Sequence, residues 1–482
     1  MNIPRKNLTF SVIWNVIGAL VTKGSVVIFT ILLARILDPQ DFGIIAIASL
    51  IVAVSQSLAT GGLGQALIQQ KELSRYDAST VFFLNITASL LLYLVAYLLA
   101  PHAASFFKET ELTLVIQVSS ISVFIVSFRI AHLALLQREN QFQKIAKIRI
   151  IATIISGCLA VMIAASGFGL WALVIQMLTQ QLIITIGCWV EHPWMPPFHA
   201  TFSSAKKLIR FGGNLALSNL IGTLSRESYT LIVGRMFSTE ITGHYYFARR
   251  INSLIQQQLI APVQEASFPS LSQKQTDLPA VLAVIRKMSQ LTTFLIAPMA
   301  IAIAVLAEPF IMVSVGEKWR PAAGYLQILC FLALLYPLHS ICINVMKITG
   351  NGFLILKWNI IRNFLAISLL VVSAPYGVKA IILSQITASV IILVPNAYHN
   401  RKLIGYRYSD QFGDVVANFL LAIFAGAVTF LLLGQFDSYV TKLLAGLGIY
   451  AALYLSVSKV FGNKSFTFLL QLGIKSAGRN KG

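Results

Sequence analysis

Apolar residues in this chain fall in long blocks of roughly 20 residues or more, the length an α-helix needs to cross a hydrocarbon core of about 30 Å. Fourteen such blocks are predicted as helices: 10–36, 42–66, 79–101, 112–137, 145–167, 169–191, 209–235, 243–268, 280–307, 322–347, 353–374, 377–399, 412–433 and 438–460. Only 11% of the 482 residues are charged, against about 25% in an ordinary soluble chain. A mean hydropathy of +0.77 points the same way. The fold class that follows is an all-α polytopic membrane protein. Its first apolar block is too long for the h-region of a secretory leader, so no cleavable signal peptide is expected.

The layout is stated twice. Ile31–Gly43 reads ILLARILDPQDFG, and Leu231–Gly243 reads LIVGRMFSTEITG, so Arg35 falls on Arg235 and Gly43 on Gly243. The stretch GFGLWALVIQ matches YGVKAIILSQ at an offset near 208, with Gly169 on Gly377 and Ala172 on Ala380. Between them, Leu136 to Lys147 tracks Met346 to Lys357. Three matches in one order point to a duplication. Repeated halves in a polytopic chain are the mark of a transporter whose two bundles rock around a shared site. Six helices precede the second copy, an even number, so the copies enter the membrane in the same direction and form parallel repeats. The expected organisation is an N-lobe over 1–191, a linker over 192–208 carrying Pro193, Pro196 and Pro197, a C-lobe over 209–399, and two extra helices with a tail over 400–482.

Net charge of +20 would fit nucleic acid in a soluble chain. Here the cations sit in short loops between apolar blocks, which makes them topology signals, and no nucleic-acid partner is expected. Of the 37 Lys and Arg residues, 24 fall on one side, 7 on the other and 6 within helices, which puts both termini in the cytoplasm. Cys158, Cys188, Cys330 and Cys342 lie in apolar segments without ligand spacing and read as small buried hydrophobes. No GxxxxGK[ST], HExxH, CxxC or GxSxG occurs, so no catalytic residue, metal or cofactor is expected. Gly61–Gly64 (GGLG) at the end of a span reads as close helix packing or a hinge.

Cations within spans are costly unless they face a cavity or a partner. Lys23, Arg129, Arg226, Arg249 and Arg250 come from helices of both lobes and suggest a central cationic cavity for a phosphate or carboxylate. Ion pairing, for example of Arg249 or Arg250 with Glu227, is the alternative. Arg35 and Arg235, each just before the shared glycine, read as clamps of that loop, with Asp38 and Asp41 as nearby partners in the first copy. His132 reads as a packing residue. Asn252, Gln256, Gln257, Gln258 and Gln264, with Gln56 and Gln65, either line an aqueous path or bond between helices.

The stretch LLARILDPQDFG after a first helix, with YYFARRINSLIQQQLIAPVQEASFPSL over Tyr245–Leu271, resembles the polysaccharide transporter branch of the multidrug/oligosaccharidyl-lipid/polysaccharide flippase superfamily. The resemblance implies a bacterial inner-membrane flippase. Its substrate would be an undecaprenyl-diphosphate-linked oligosaccharide, moved to the periplasmic leaflet for O-antigen, capsule or exopolysaccharide. It also implies membrane lipids as surroundings, and a polymerase and chain-length regulator as partners. Other readings stay open. A cation-coupled drug exporter of the same superfamily would need buried carboxylates, which are few here. A membrane-embedded polymerase or ligase would need a large outer loop, and the loops are short. A lipid II flippase is the third.

Overall fold

The computed structural model describes residues 24–60, 62–70, 74, 76–197, 202–253, 277–349, 351–463 and 465–468. Among them there is no strand. The helices are α1 (Gly24–Ile36), α2 (Pro39–Thr60), α3 (Leu63–Gln69), α4 (Asp77–Phe107), α5 (Leu112–Ser119), α6 (Ile121–Ser127), α7 (Ile130–Arg138), α8 (Phe142–Ala165), α9 (Trp171–Glu191), α10 (Phe202–Met236) and α11 (239–253). They continue as α12 (Leu278–Ser314), α13 (Arg320–Ile348), α14 (Gly352–Ser373), α15 (Val378–Ile404), α16 (Tyr408–Leu433) and α17 (Tyr439–Val460).

Among the described residues helix covers most of the expected places, while 10–23 and 254–268 lie outside them, and several expected spans are subdivided. Gly62 adopts φ 66°, which separates α2 from α3. Expected helix 112–137 is three pieces, with a 43° bend between Leu112–Ser127 and Ile130–Arg138. Ten helices among the described residues are long and apolar enough to cross a membrane, eleven with the bent pair as one span. Segments α1 and α11 adjoin residues outside the described set. Helix α10 has 35 residues and is missing from the ten because its sequence is the least apolar.

The matched stretches share backbone features. Helix ends at Ile36 and resumes at Pro39; 200 residues later it ends at Met236 and resumes at 239. Gly169 and Gly377, matched by sequence, both take positive φ (52° and 96°) just before α9 and α15. An L side chain rarely tolerates that backbone, which is why glycine recurs at both places.

The chain divides into two compact units, the first ending at Tyr246 and the second starting at Phe247. In the first, α10 packs on α2, α3 and α4, while α8 pairs with α9. In the second, α12 is the hub: α13, α16 and α17 all pack on it. Helix α12 extends about 55 Å at 1.5 Å per residue, well beyond a hydrocarbon core. Its small and hydroxylated residues Ser289, Thr293, Ala297 and Ala300 let neighbours approach closely. Gly426 of α16 packs on Ile301, and Gly446 of α17 on Leu306. The two C-terminal helices, which sequence reading treats as an appendage, are thus tied to the hub. Tyr454 donates to the Phe294 carbonyl (3.0 Å) and Tyr450 to that of Ala422 (3.3 Å). Large apolar side chains such as Leu98, Phe364, Val394 and Leu431 are exposed, as lipid contact requires. Cys188, Cys330 and Cys342 are buried as expected; Cys158 corrects the expectation, being exposed on α8.

Candidate functional site

The two matched turns close in related ways. In the first, the Asp41 carboxylate accepts from the Asp38 N–H (3.0 Å), the reciprocal half of a capping box. In the second, the Ser238 hydroxyl accepts from the Ile241 N–H (3.3 Å), a direct N-cap. Each helix then reaches its shared glycine in the second turn. A Cβ built on Gly43 would overlap the Thr239 carbonyl and lie 3.2 Å from the Gly243 nitrogen. One built on Gly243 would overlap the Pro39 carbonyl and lie 3.0 Å from the Gly43 nitrogen. The N-terminal ends of α2 and α11 therefore cross backbone to backbone. Only glycine on both sides permits this approach.

Helix α4 locks the crossing from the side. Thr239 donates its hydroxyl to Glu109 at 2.7 Å. Arg235 is exposed, with its guanidinium 5.0 Å from the centre of the Phe106 ring. Arg35 is exposed at the end of α1.

Each expected cavity cation that is described has surroundings of its own. Lys23 lies outside the described residues. Arg129 sits at the bend between α6 and α7, where it donates to the Gln181 carbonyl (3.1 Å) and side-chain oxygen (2.6 Å) of α9. Arg226 on α10 keeps 63% of its side chain exposed, with Glu227 at 3.5 Å and Thr223 at 3.2 Å. Arg249 and Arg250, on α11, are half-buried and engaged, and belong to the second unit. Of the expected path residues, Gln65 is exposed, Asn252 is buried, and Gln256, Gln257, Gln258 and Gln264 lie outside the described residues. His132 is fully buried, stacked on Trp189 at 4.3 Å, and its Nε2 meets the Trp194 carbonyl at 3.0 Å.

Sequence reasoning missed one polar centre. Asp414 of α16, only 5% exposed at its side chain, accepts from Arg286 Nε (2.8 Å) and Nη2 (3.1 Å), Gln290 Nε2 (2.6 Å) and the Tyr406 hydroxyl (2.8 Å). Asp410, one turn earlier, lies 3.6 Å from Arg286. Burial and the bond to Asp414 push the Tyr406 phenol well above the ordinary tyrosine range. The available signal was Asp410 and Asp414 at i, i+4 beginning a span. Among the described residues, no group of three His, Cys, Asp or Glu side chains is placed to hold a metal.

Comparisons with known proteins follow the same lines. The family described as polysaccharide biosynthesis protein matches residues 32–324, a stretch that includes nearly all of both matched turns. The succinoglycan biosynthesis transport protein ExoT of Rhizobium meliloti is 26% identical over 357 residues, 74% of this chain and 72% of that protein. The lipopolysaccharide biosynthesis protein WzxC of Escherichia coli is 22% identical over 365 residues, 74% of this chain and 73% of that protein. The solved structure of the lipid II flippase MurJ, in an inward closed conformation, shares the fold: TM-score 0.74 at 14% identity, over 94% of this chain and 98% of that one.

Proposed function

Since the chain belongs to the polysaccharide biosynthesis protein family, which matches 293 of its 482 residues (32–324), we propose that it is a flippase for lipid-linked oligosaccharides. It carries undecaprenyl-diphosphate-linked repeat units from the cytoplasmic to the periplasmic leaflet by alternating access, for O-antigen, capsule or exopolysaccharide. The lobes that rock are 1–191 and 209–399, with 400–482 as the added pair and tail. The setting is the bacterial inner membrane with both termini in the cytoplasm, and a polymerase and chain-length regulator take the product.

The observation that carries this reading is the polar stripe of α10. Ser218, Gly222 and Arg226 stand at i, i+4 and i+8, all exposed, with Asn219 beside them. An arginine exposed to hydrocarbon costs several kcal/mol, so this stripe faces water or an anionic head group. Arg226, Arg249 and Arg250 hold the diphosphate, joined by Lys23. Arg129 joins them when it leaves Gln181 at the bend. A guanidinium suits the task because it grips phosphate with two parallel N–H bonds.

A cation-coupled drug exporter needs a buried carboxylate free to exchange ions. Among the described residues the buried carboxylates are Asp77 and Asp414. Asp77 accepts from the Ser74 N–H at 2.8 Å, and Asp414 is taken by Arg286. Both are committed to structure.

The test is the leaflet on which complete repeat units accumulate in a strain lacking the protein. Accumulation on the cytoplasmic leaflet, relieved by the wild-type chain and not by the Arg226→Gln, Arg249→Gln, Arg250→Gln triple variant, supports the reading. Units that reach the periplasm and stay unpolymerised would shift the role to polymerisation or ligation.

A further inference from the structure

Beside the glycine crossing, between the end of α4 and the α10–α11 turn, lies an open depression of about 690 Å³. Pockets that take small ligands span about 300–1,000 Å³. Two cations line this one, Lys108 and Arg235, both exposed. The Arg235 guanidinium carbon lies 5.0 Å from the centre of the Phe106 ring, a cation–π contact. Glu109 supplies a carboxylate whose Oε1 is held by Thr239, and Ser238 supplies a hydroxyl. The half-buried rings of Phe107 and Phe237 complete the wall.

Lys108 is informative for its backbone. It caps α4 in the left-handed region, at φ 60°. Among the described non-glycine residues only Asn140 shares that feature, and asparagine is one of the side chains that tolerates it. Glycine is the usual residue at such a helix end. A lysine here gives up backbone comfort and gains a cation at the rim of the depression.

We propose that this depression is a binding site for an acidic saccharide. The sugar's carboxylate sits on Lys108 and Arg235, its hydroxyls bond Glu109 and Ser238, and its apolar C–H face covers Phe107 and Phe237. A bare phosphate or a phospholipid head group would use the cations alone and leave the carboxylate and rings without a role. The identity of the natural ligand rests on the transport reading: the site lies on the side poorer in Lys and Arg, where a repeat unit is released, and would hold its sugars there as the head group leaves.

The test is calorimetric titration of the full chain in phosphatidylcholine nanodiscs with trigalacturonic acid, maltotriose or inorganic phosphate. Parallel titrations of trigalacturonic acid use discs containing phosphatidylglycerol. The wild-type chain is expected to bind trigalacturonic acid saturably, above maltotriose and phosphate, with phosphatidylglycerol competing little. Arg235→Gln and Lys108→Gly should each weaken binding about tenfold, as expected for losing a charge-assisted contact. Lys108→Gly relieves the backbone, so its thermal midpoint should hold or rise while affinity falls, and misfolding cannot account for the loss. Affinity unchanged in both variants, equal binding of maltotriose or phosphate, or displacement by phosphatidylglycerol overturns the proposal. Leaflet assays on the same variants separate the two ideas: normal flipping by variants that have lost saccharide binding overturns the assignment of the repeat unit as the site's ligand and leaves the transport reading standing.

Discussion

Replacing Asp414 by alanine tests whether the polar centre of the second unit anchors α16 to the hub. The substitution removes the acceptor for four hydrogen bonds at 2.6–3.1 Å. Arg286 is 39% exposed and keeps Asp410 at 3.6 Å, so its charge reaches water and its share is about 1 kcal/mol. The Tyr406 hydroxyl is buried at 2% exposure and is left without that acceptor, a penalty of about 1–3 kcal/mol. The Gln290 bond adds roughly 1 kcal/mol. The total is about 3–5 kcal/mol. Replacing both charges by apolar side chains of similar volume, as Arg286→Met with Asp414→Leu, should recover part of the loss, because apolar packing takes the place of the pair while Asp410, 36% exposed, stays solvated. The assay is unfolding in mixed detergent micelles, followed by circular dichroism, on wild type, both single variants and the double variant. If Asp414→Ala stays within about 0.5 kcal/mol of wild type, or the double variant is no better than the single, the hydrogen-bond reasoning is wrong.

Other outcomes follow from the first unit. Gly43→Ala and Gly243→Ala each drive a methyl into a backbone carbonyl, so each should cost about 1–3 kcal/mol in thermal unfolding and impair transport; wild-type behaviour would mean the helices part freely. Arg226→Gln should slow flipping of a diphosphate-linked saccharide about tenfold or more while leaving unfolding unchanged, and equal rates would remove this residue from the head-group site. Thr239→Val keeps the shape but deletes the bond to Glu109, and should cost about 1 kcal/mol in the same unfolding assay. Unchanged stability would mean that the bond contributes nothing to the fold.

Local rules made much of the architecture legible. Apolar block length located helices, and the matched turns carried their own capping residues, Asp41 in one and Ser238 in the other. Gly169 and Gly377 could be aligned from sequence because a backbone requirement selects the same residue twice. What stayed hidden depends on pairs far apart in the chain. Arg286 and Asp414 stand 128 positions apart, each at the end of a span, where a charge is counted as a topology signal. Arg129 looked like an unpaired cation because its partner, Gln181, is 52 positions on and uncharged. The contact between Gly43 and Gly243 was equally out of reach: alignment shows that they correspond, and says nothing of their touching.

That contact has an evolutionary consequence. The contact is reciprocal, Gly43 against the Thr239 carbonyl and Gly243 against the Pro39 carbonyl, so a local two-fold relates the two matched turns. In a half-length chain paired with a copy of itself, the same meeting would be an isologous contact, with one codon supplying both glycines. Any single change there would have struck the interface twice. With the two glycines on separate codons, either side can drift only as far as the other leaves room. Where one glycine is replaced, compensation should be sought in the opposite copy, at Pro39 for a change at Gly243 and at Thr239 for a change at Gly43.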